Sequence, residues 1–174
     1  MISVVLTGSE CTGKTTLARD LARAYGTVAA PEYVRLYLDA KGEPLTVHDV
    51  EPIARGQMAV EDDAVFGARR LLVKDTDLLS TVVYARHYYG SCPGWIEEAA
   101  RLRAGNLYLL LHPDVPWVAD GAQRDRPHDR EEIHGLFRRA LEELGVRFAD
   151  VEGDWAERRA RATVAIDALL LSGS

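Results

Sequence analysis

The sequence predicts an α/β sandwich: a five-stranded parallel sheet covered by helices on both faces. Two observations predict it. Apolar runs of strand length alternate with longer segments of helical period, the signature of strands joined by helical crossovers. A glycine-rich loop links the first apolar run to the first helical segment, as in sheets that bind ligands at strand ends. No internal repeat or linker interrupts the 174 residues, so a single domain over 1–174 is expected.

The elements follow in order. "ISVVLT" (2–7) is the first strand and Gly13 to Tyr25 the first helix. "TVAA" (27–30) is a weak second strand stopped by Pro31, and Tyr33 to Ala40 a short helix. Thr46 is placed to cap a long helix to about Arg70, with Pro52 tolerated only near its first turn. "LLVKD" (71–75) is the third strand, and Asp77 caps a helix from Leu78 to Tyr89. A helix from Trp95 to Ala104 leads to "LYLLLH" (107–112), the most apolar strand. A Pro-, Asp- and Arg-rich segment (113–129) lacks periodicity, and Asp129 caps a helix to Leu144. "VRFADV" (146–151) is the fifth strand, and Asp154 opens the last helix.

Composition removes several function classes. A net charge of −6 argues against a broad surface for nucleic acid or anionic membranes. The two cysteines, Cys11 and Cys92, have no metal-ligand spacing and form no disulfide framework. No apolar run approaches the length of a membrane span, and residues 2–6 carry no cleavage site. A soluble cytoplasmic protein is expected, with no nucleic-acid or membrane partner; a homo-oligomer is compatible with the sequence.

"GSECTGKT" (8–15) fits G-x-x-x-x-G-K-[ST], through Gly8, Gly13, Lys14 and Thr15. Glycines let the backbone fold around an anion, so that N–H groups converge on phosphate oxygens at a helix N-terminus. Lys14 then bridges the β- and γ-phosphates, and the Thr15 hydroxyl ligates Mg²⁺. A P-loop NTPase sandwich is therefore expected. Its metal needs a carboxylate, and Asp75 ends the third strand, where such an acid belongs. The alternative is a solvated strand-end aspartate or a cap shared with Asp77.

A GTPase would need N-K-x-D, which the chain lacks; D-x-x-G occurs at 39–42 and 150–153, neither after the third strand. The segment after the fourth strand instead suits a kinase lid. Arg124 and Arg126, with Arg130 nearby, would close over the transferring phosphoryl group and exclude water. The alternative is a solvated loop whose charges pair with each other. "PEYVR" (31–35) follows the second strand, where ligands collect. Glu32 suits a base for the acceptor hydroxyl and Arg35 an acceptor clamp, or the two form only an i,i+3 surface pair.

"GSECTGKTTLA", "PEYVR", "DTDLLST" and "PWVADG", in that order and spacing, resemble the ribosylnicotinamide kinase domain of NadR-type proteins. The resemblance runs from about residue 2 to 170. It implies a P-loop kinase sheet, expected in the order 2-3-1-4-5, and conversion of nicotinamide riboside and ATP to nicotinamide mononucleotide. It implies ATP phosphates on Gly8, Ser9, Glu10, Cys11, Thr12, Gly13, Lys14, Thr15 and Thr16, and Mg²⁺ at Thr15 and Asp75. It also implies Glu32, Arg35 and Asp77 around the ribose, and Gly153 and Asp154 at the adenine. The family's tryptophan before the Glu-Tyr pair is Pro31 here, and residues 57–64 carry no aromatic, so Tyr33, Tyr37 or Trp117 would have to stack on the acceptor base. Full-length members carry an adenylyltransferase as well; with no H-x-G-H here, that activity is not expected.

The expectation is thus an ATP- and Mg²⁺-dependent kinase with a nucleoside-like, small-molecule acceptor. Lys14, Glu32, Asp75, Arg124 and Arg126 would be catalytic, and Glu32, Tyr33, Arg35, Asp77 and Trp117 would hold the substrate. A kinase for another nucleoside or cofactor precursor, or a regulatory NTP-binding module, are the alternatives.

Overall fold

The computed structural model describes residues 1–117 and 127–172. Arg124 and Arg126 lie outside the described residues. The strands are β1 (Ile2–Thr7), β2 (Ala29–Ala30), β3 (Leu71–Asp75), β4 (Leu107–Leu111) and β5 (Phe148–Val151). The helices are α1 (Lys14–Ala24), α2 (Tyr33–Lys41), α3 (Val50–Gly67), α4 (Leu78–Tyr89), α5 (Gly94–Leu102), α6 (Arg130–Leu144) and α7 (Trp155–Ser172). All four strand pairings are parallel, in the order β2-β3-β1-β4-β5.

β1, β3 and β4 are apolar almost throughout because helices cover both their faces. Alternation sorts their side chains. Val4, Leu6, Val73, Leu107, Leu109 and Leu111 pack with Leu17, Leu21, Ala162 and Ile166 of α1 and α7. Val5, Tyr108 and Leu110 face the other way, onto Val83, Tyr84, Ile133 and Phe137 of α4 and α6. The register Leu6↔Asp75 and Leu6↔Leu109 brings the carboxyl ends of the central strands level, so the loops after them share one edge.

Several details differ from the sequence expectation: α3 ends at Gly67, β5 starts at Phe148, and Asp129 precedes α6 without a side-chain cap. β2 shrinks to two residues, since an edge strand needs fewer ladder bonds. Thr46 caps a 3₁₀ turn at Val47–Asp49 through a reciprocal box with Asp49, and α3 begins behind it with Pro52 in its first turn. No helix among the described residues is long and apolar enough to cross a membrane.

Gly56 of α3 is where α2 comes closest: a Cβ there would fall within the Tyr33 ring. Gly56→Ala should therefore destabilise the fold by about 1–3 kcal/mol in urea titration, and adding Tyr33→Ala should recover part of that loss. A neutral Gly56→Ala would contradict this packing.

Candidate active site

β1 ends in the turn that the glycine motif demands. Gly8 has φ 131°, and a Cβ on it would lie 2.7 Å from the Leu111 carbonyl oxygen. Gly13 has φ 85°, and a Cβ there would strike the Trp155 ring at 2.8 Å. Neither position admits a side chain. Cys11 is left-handed without being glycine (φ 55°), a local strain of the kind found at ligand-holding loops. α1 begins with no side-chain cap and no acid in its first turn, so its leading N–H groups are left for an anion. The Lys14 ammonium bends back to donate to the carbonyls of Gly8 (3.1 Å) and Ser9 (2.7 Å), across the loop.

Asp75, at the end of β3, is 3% exposed. It accepts a hydrogen bond from the Thr15 hydroxyl, while its Oδ1 has no partner among the described residues. Burial, and then the Glu32 carboxylate, push its pKa up to about 6 against the pull of Thr15, Lys14 and Arg35. The hydroxyls of Thr7, Ser9 and Thr76 are also buried without partners among the described residues. Buried polar atoms are normally satisfied, so this group is built to meet a ligand. Thr76 itself has φ 71°, which turns the chain sharply between Asp75 and Asp77.

Glu32, beside Asp75, is only 9% exposed although it immediately precedes a surface helix. Arg35 Nε donates to Glu32 Oε2 at 2.9 Å, so the i,i+3 pair exists, but with its carboxylate buried. Gln57 of α3 holds this corner, accepting from Tyr33 N (2.9 Å) and donating to Pro31 O (3.5 Å) and to Glu61 Oε1 (3.2 Å). Glu61 in turn pairs with Lys74 at 2.8 Å in the interior. Behind Glu32 opens a cleft whose walls include Gln57, Asp77, Ser80, Tyr84, Tyr88 and Tyr89.

The structure thus brings Lys14, Thr15, Glu32 and Arg35 within electrostatic reach of Asp75. Asp77 borders the cleft, but its oxygens are engaged: Oδ1 caps α4 at Leu79 N (3.0 Å) and Oδ2 accepts from the Tyr108 hydroxyl (2.6 Å). Tyr33 does not line the cleft; its ring is spent on packing against Gly56. Trp117 lies 5.8 Å from the Arg130 guanidinium. Arg130 is buried and donates to the Pro113 and Val115 carbonyls, which makes it an anchor for the chain leaving β4.

Gly153 and Asp154 form the turn between β5 and α7. Asp154 Oδ1 accepts from Glu157 N (2.9 Å), and Glu157 Oε2 accepts from Asp154 N (2.8 Å), a capping box that starts α7. Sequence reasoning missed the next residue, Trp155, whose ring lies against Gly13 and stays 40% exposed. It also missed the tyrosines of α4, although the i,i+4 spacing of Tyr84 and Tyr88 marks one helix face. Beside the site, His112, His134 and Asp150 offer ligand atoms within 4.8 Å of one another, but the Arg138 guanidinium and the His112 ring already share Asp150 Oδ1.

The raised pKa of Asp75 has a testable sign. A carboxyl whose pKa rises on folding, here from 3.8 to about 6, costs nothing where both states are protonated. The cost grows as pH climbs from about 4 to 6 and persists above that, at about 3 kcal/mol by linkage. Asp75→Asn should therefore be more stable than wild type by about 1–3 kcal/mol at pH 8 and nearly equal to it at pH 4, measured by urea titration without nucleotide. Equal stability at both pH values would remove the constraint.

Comparison with known proteins places the geometry in a family. A family described as an AAA domain matches residues 3–158. The trifunctional NAD biosynthesis/regulator protein NadR of Escherichia coli is 32% identical over 155 residues, 86% of this chain and 38% of that protein. Its Salmonella typhimurium counterpart is 31% identical over 162 residues, 90% of this chain and 40% of that protein. This chain therefore spans about two fifths of the length of these relatives. A crystal structure of NadR protein in complex with NR superposes with a TM-score of 0.76 at 25% identity, covering 88% of this chain and 44% of that one. NadR in complex with NAD and AMP-PNP gives 0.74 at 25% identity, over 97% and 48%. Thymidylate kinase from Ehrlichia chaffeensis, 14% identical over 97% and 98%, shares the fold with a TM-score of 0.61. The chain belongs to the AAA-domain family of phosphate-loop proteins and is similar to NadR across most of its length.

Proposed function

We propose that this chain is an ATP-dependent kinase that phosphorylates a hydroxyl of a nucleoside-like acceptor, nicotinamide riboside foremost. The observation that carries this reading is the junction of two sites at one sheet edge: the phosphate loop with Asp75, and beside it a cleft entered past a buried glutamate. The cleft's walls combine acids and hydroxyls (Glu32, Asp77, Ser80, Thr81) with tyrosine rings, the mix of groups that a nucleoside's sugar and base call for. The tyrosines of α4 supply the aromatic wall for its base, which the sequence at Pro31 and 57–64 does not. A pyridinium ring is well matched to such faces. The similarity to NadR crystallised with NR supports the same acceptor.

The residues fit a divalent cation. Asp75 offers a buried oxygen without a partner and Thr15 a hydroxyl beside it, a hard-oxygen pair of the kind Mg²⁺ takes together with phosphate oxygens. When bound, Mg²⁺ neutralises the charge of the β- and γ-phosphates. The chain's own groups do the rest. The amides at the start of α1 and the Lys14 ammonium hold the phosphate tail, with Lys14 exchanging its two carbonyl partners for phosphate oxygens. Glu32 lines the cleft and Asp75 does not, so Glu32 is the carboxylate that receives the acceptor's hydroxyl proton. Arg35 fixes one Glu32 oxygen and so orients the other. Transfer then rests on alignment and charge stabilisation. We assign the lid role to Arg124 and Arg126, on the segment that the buried Arg130 anchors.

ADP release should be acceptor-dependent, with nicotinamide riboside giving a kcat/KM at least about tenfold above uridine, cytidine and adenosine, a discrimination of about 1.4 kcal/mol. Slow hydrolysis indifferent to every acceptor would instead support a nucleotide-gated regulatory module. Lys14→Ala should abolish transfer. Glu32→Gln should lower kcat about 10²- to 10⁴-fold while leaving ATP affinity nearly unchanged; wild-type turnover would transfer the base role to another group.

A further inference from the structure

Arg158 heads the large side chains that are fully buried among the described residues, at 0% exposure, and no role proposed above uses it. Its guanidinium reaches four separate pieces of backbone and side chain. Nη1 donates to the Thr12 carbonyl in the phosphate loop at 3.0 Å. Nη2 donates to the His112 carbonyl at the end of β4 at 2.9 Å and pairs with Asp114 Oδ1. Nε donates to the Gly153 carbonyl in the β5–α7 turn at 2.8 Å. Asp114 Oδ2 closes the circuit by accepting from Gly153 N at 2.7 Å.

We propose that Arg158 is a positioning residue for the nucleotide: with Asp114 it locks the phosphate loop to the β5–α7 turn and to the root of the segment after β4. The inference rests on the phosphate loop's being a nucleotide site, as proposed above, and adds which residue sets its shape. The physical argument is the planarity of the peptide bond. A trans peptide whose carbonyl is held on one side presents its N–H on the other. With the Thr12 carbonyl held by Arg158, the Gly13 amide points away from the guanidinium, and the loop's curvature is fixed before any anion arrives. One planar fork with five donors can satisfy acceptors on three chain segments at once; an ammonium on a flexible stem cannot span them. The fork is also a full positive charge behind the phosphate loop, and its pairing partner Asp114 is 41% exposed and so only partly neutralises it.

The test is calorimetric titration with AMP-PNP and Mg²⁺, alongside acceptor KM and thermal melting. Arg158→Lys should weaken AMP-PNP binding at least tenfold while the acceptor KM stays within twofold, since the guanidinium contacts nothing in the cleft. Asp114→Asn, a change at a half-exposed side chain, should weaken AMP-PNP several-fold while the acceptor KM stays within twofold and melting stays cooperative, and it decides the matter if Arg158→Lys does not fold. Wild-type AMP-PNP affinity in either folded variant would overturn the inference. So would parallel losses in nucleotide affinity, acceptor KM and melting temperature, which mark general loosening. A wild-type protein that binds no AMP-PNP would instead remove the kinase reading on which this inference stands.

Discussion

A carboxylate with an oxygen that the protein leaves unsatisfied is the constraint around which this fold is arranged. Asp75 sits at the end of β3, a strand flanked by β1 and β2 and buried along its length, so its charge is out of reach of water. In the free protein that burial is a cost, visible in a pKa near 6, and the chain accepts it only because the rest of the sheet makes refusal impossible. The register between β1 and β3 sets Asp75 beside Leu6, two residues before the phosphate loop opens, and Thr15 meets it from the first turn of α1. Stability given up here is the usual companion of a site held ready for a charged ligand.

Around this point the protein divides labour between two buried ionic networks. Beneath the Glu32 corner, Lys74 and Glu61 neutralise each other in the interior, and Gln57 carries the order outward to the backbone of Pro31 and Tyr33. Such pairs add little net stability but are costly to break, which makes them good rulers for placing a loop. Behind the phosphate loop, Arg158 ties loops from three strand ends together. The first network reaches the chain through β3 and α3 and the second through α7, and no hydrogen bond among the described residues links the two.

Much of this was legible in the sequence, and the reasons are specific. The phosphate loop declared itself because its glycines have no substitutes: one would collide with the Leu111 carbonyl, the other with Trp155. Asp77 was readable as a cap because capping is a contact over two residues, yet the same local logic did not predict that Tyr108, thirty-one positions away, would take its other oxygen. Tyr33 was expected at the acceptor because it adjoins Glu32 in sequence; a helix starting between them turns its ring to Gly56 instead. Tyr84, Tyr88 and Tyr89 read as ordinary helix residues, since only the sheet order brings α4 to the wall of the cleft. Arg158 gave no signal, because in a helix rich in arginine nothing local distinguishes the buried one.

The most direct measurement of the central constraint is proton release on nucleotide binding. Mg²⁺ and AMP-PNP are titrated into wild type and Asp75→Asn at pH 6 and pH 8, in buffers of different ionisation enthalpy. If the carboxylate titrates near pH 6 and must ionise to meet its ligand, wild type should release about half a proton more than the variant at pH 6, and no excess at pH 8. An identical proton count for both proteins at pH 6 would contradict the account.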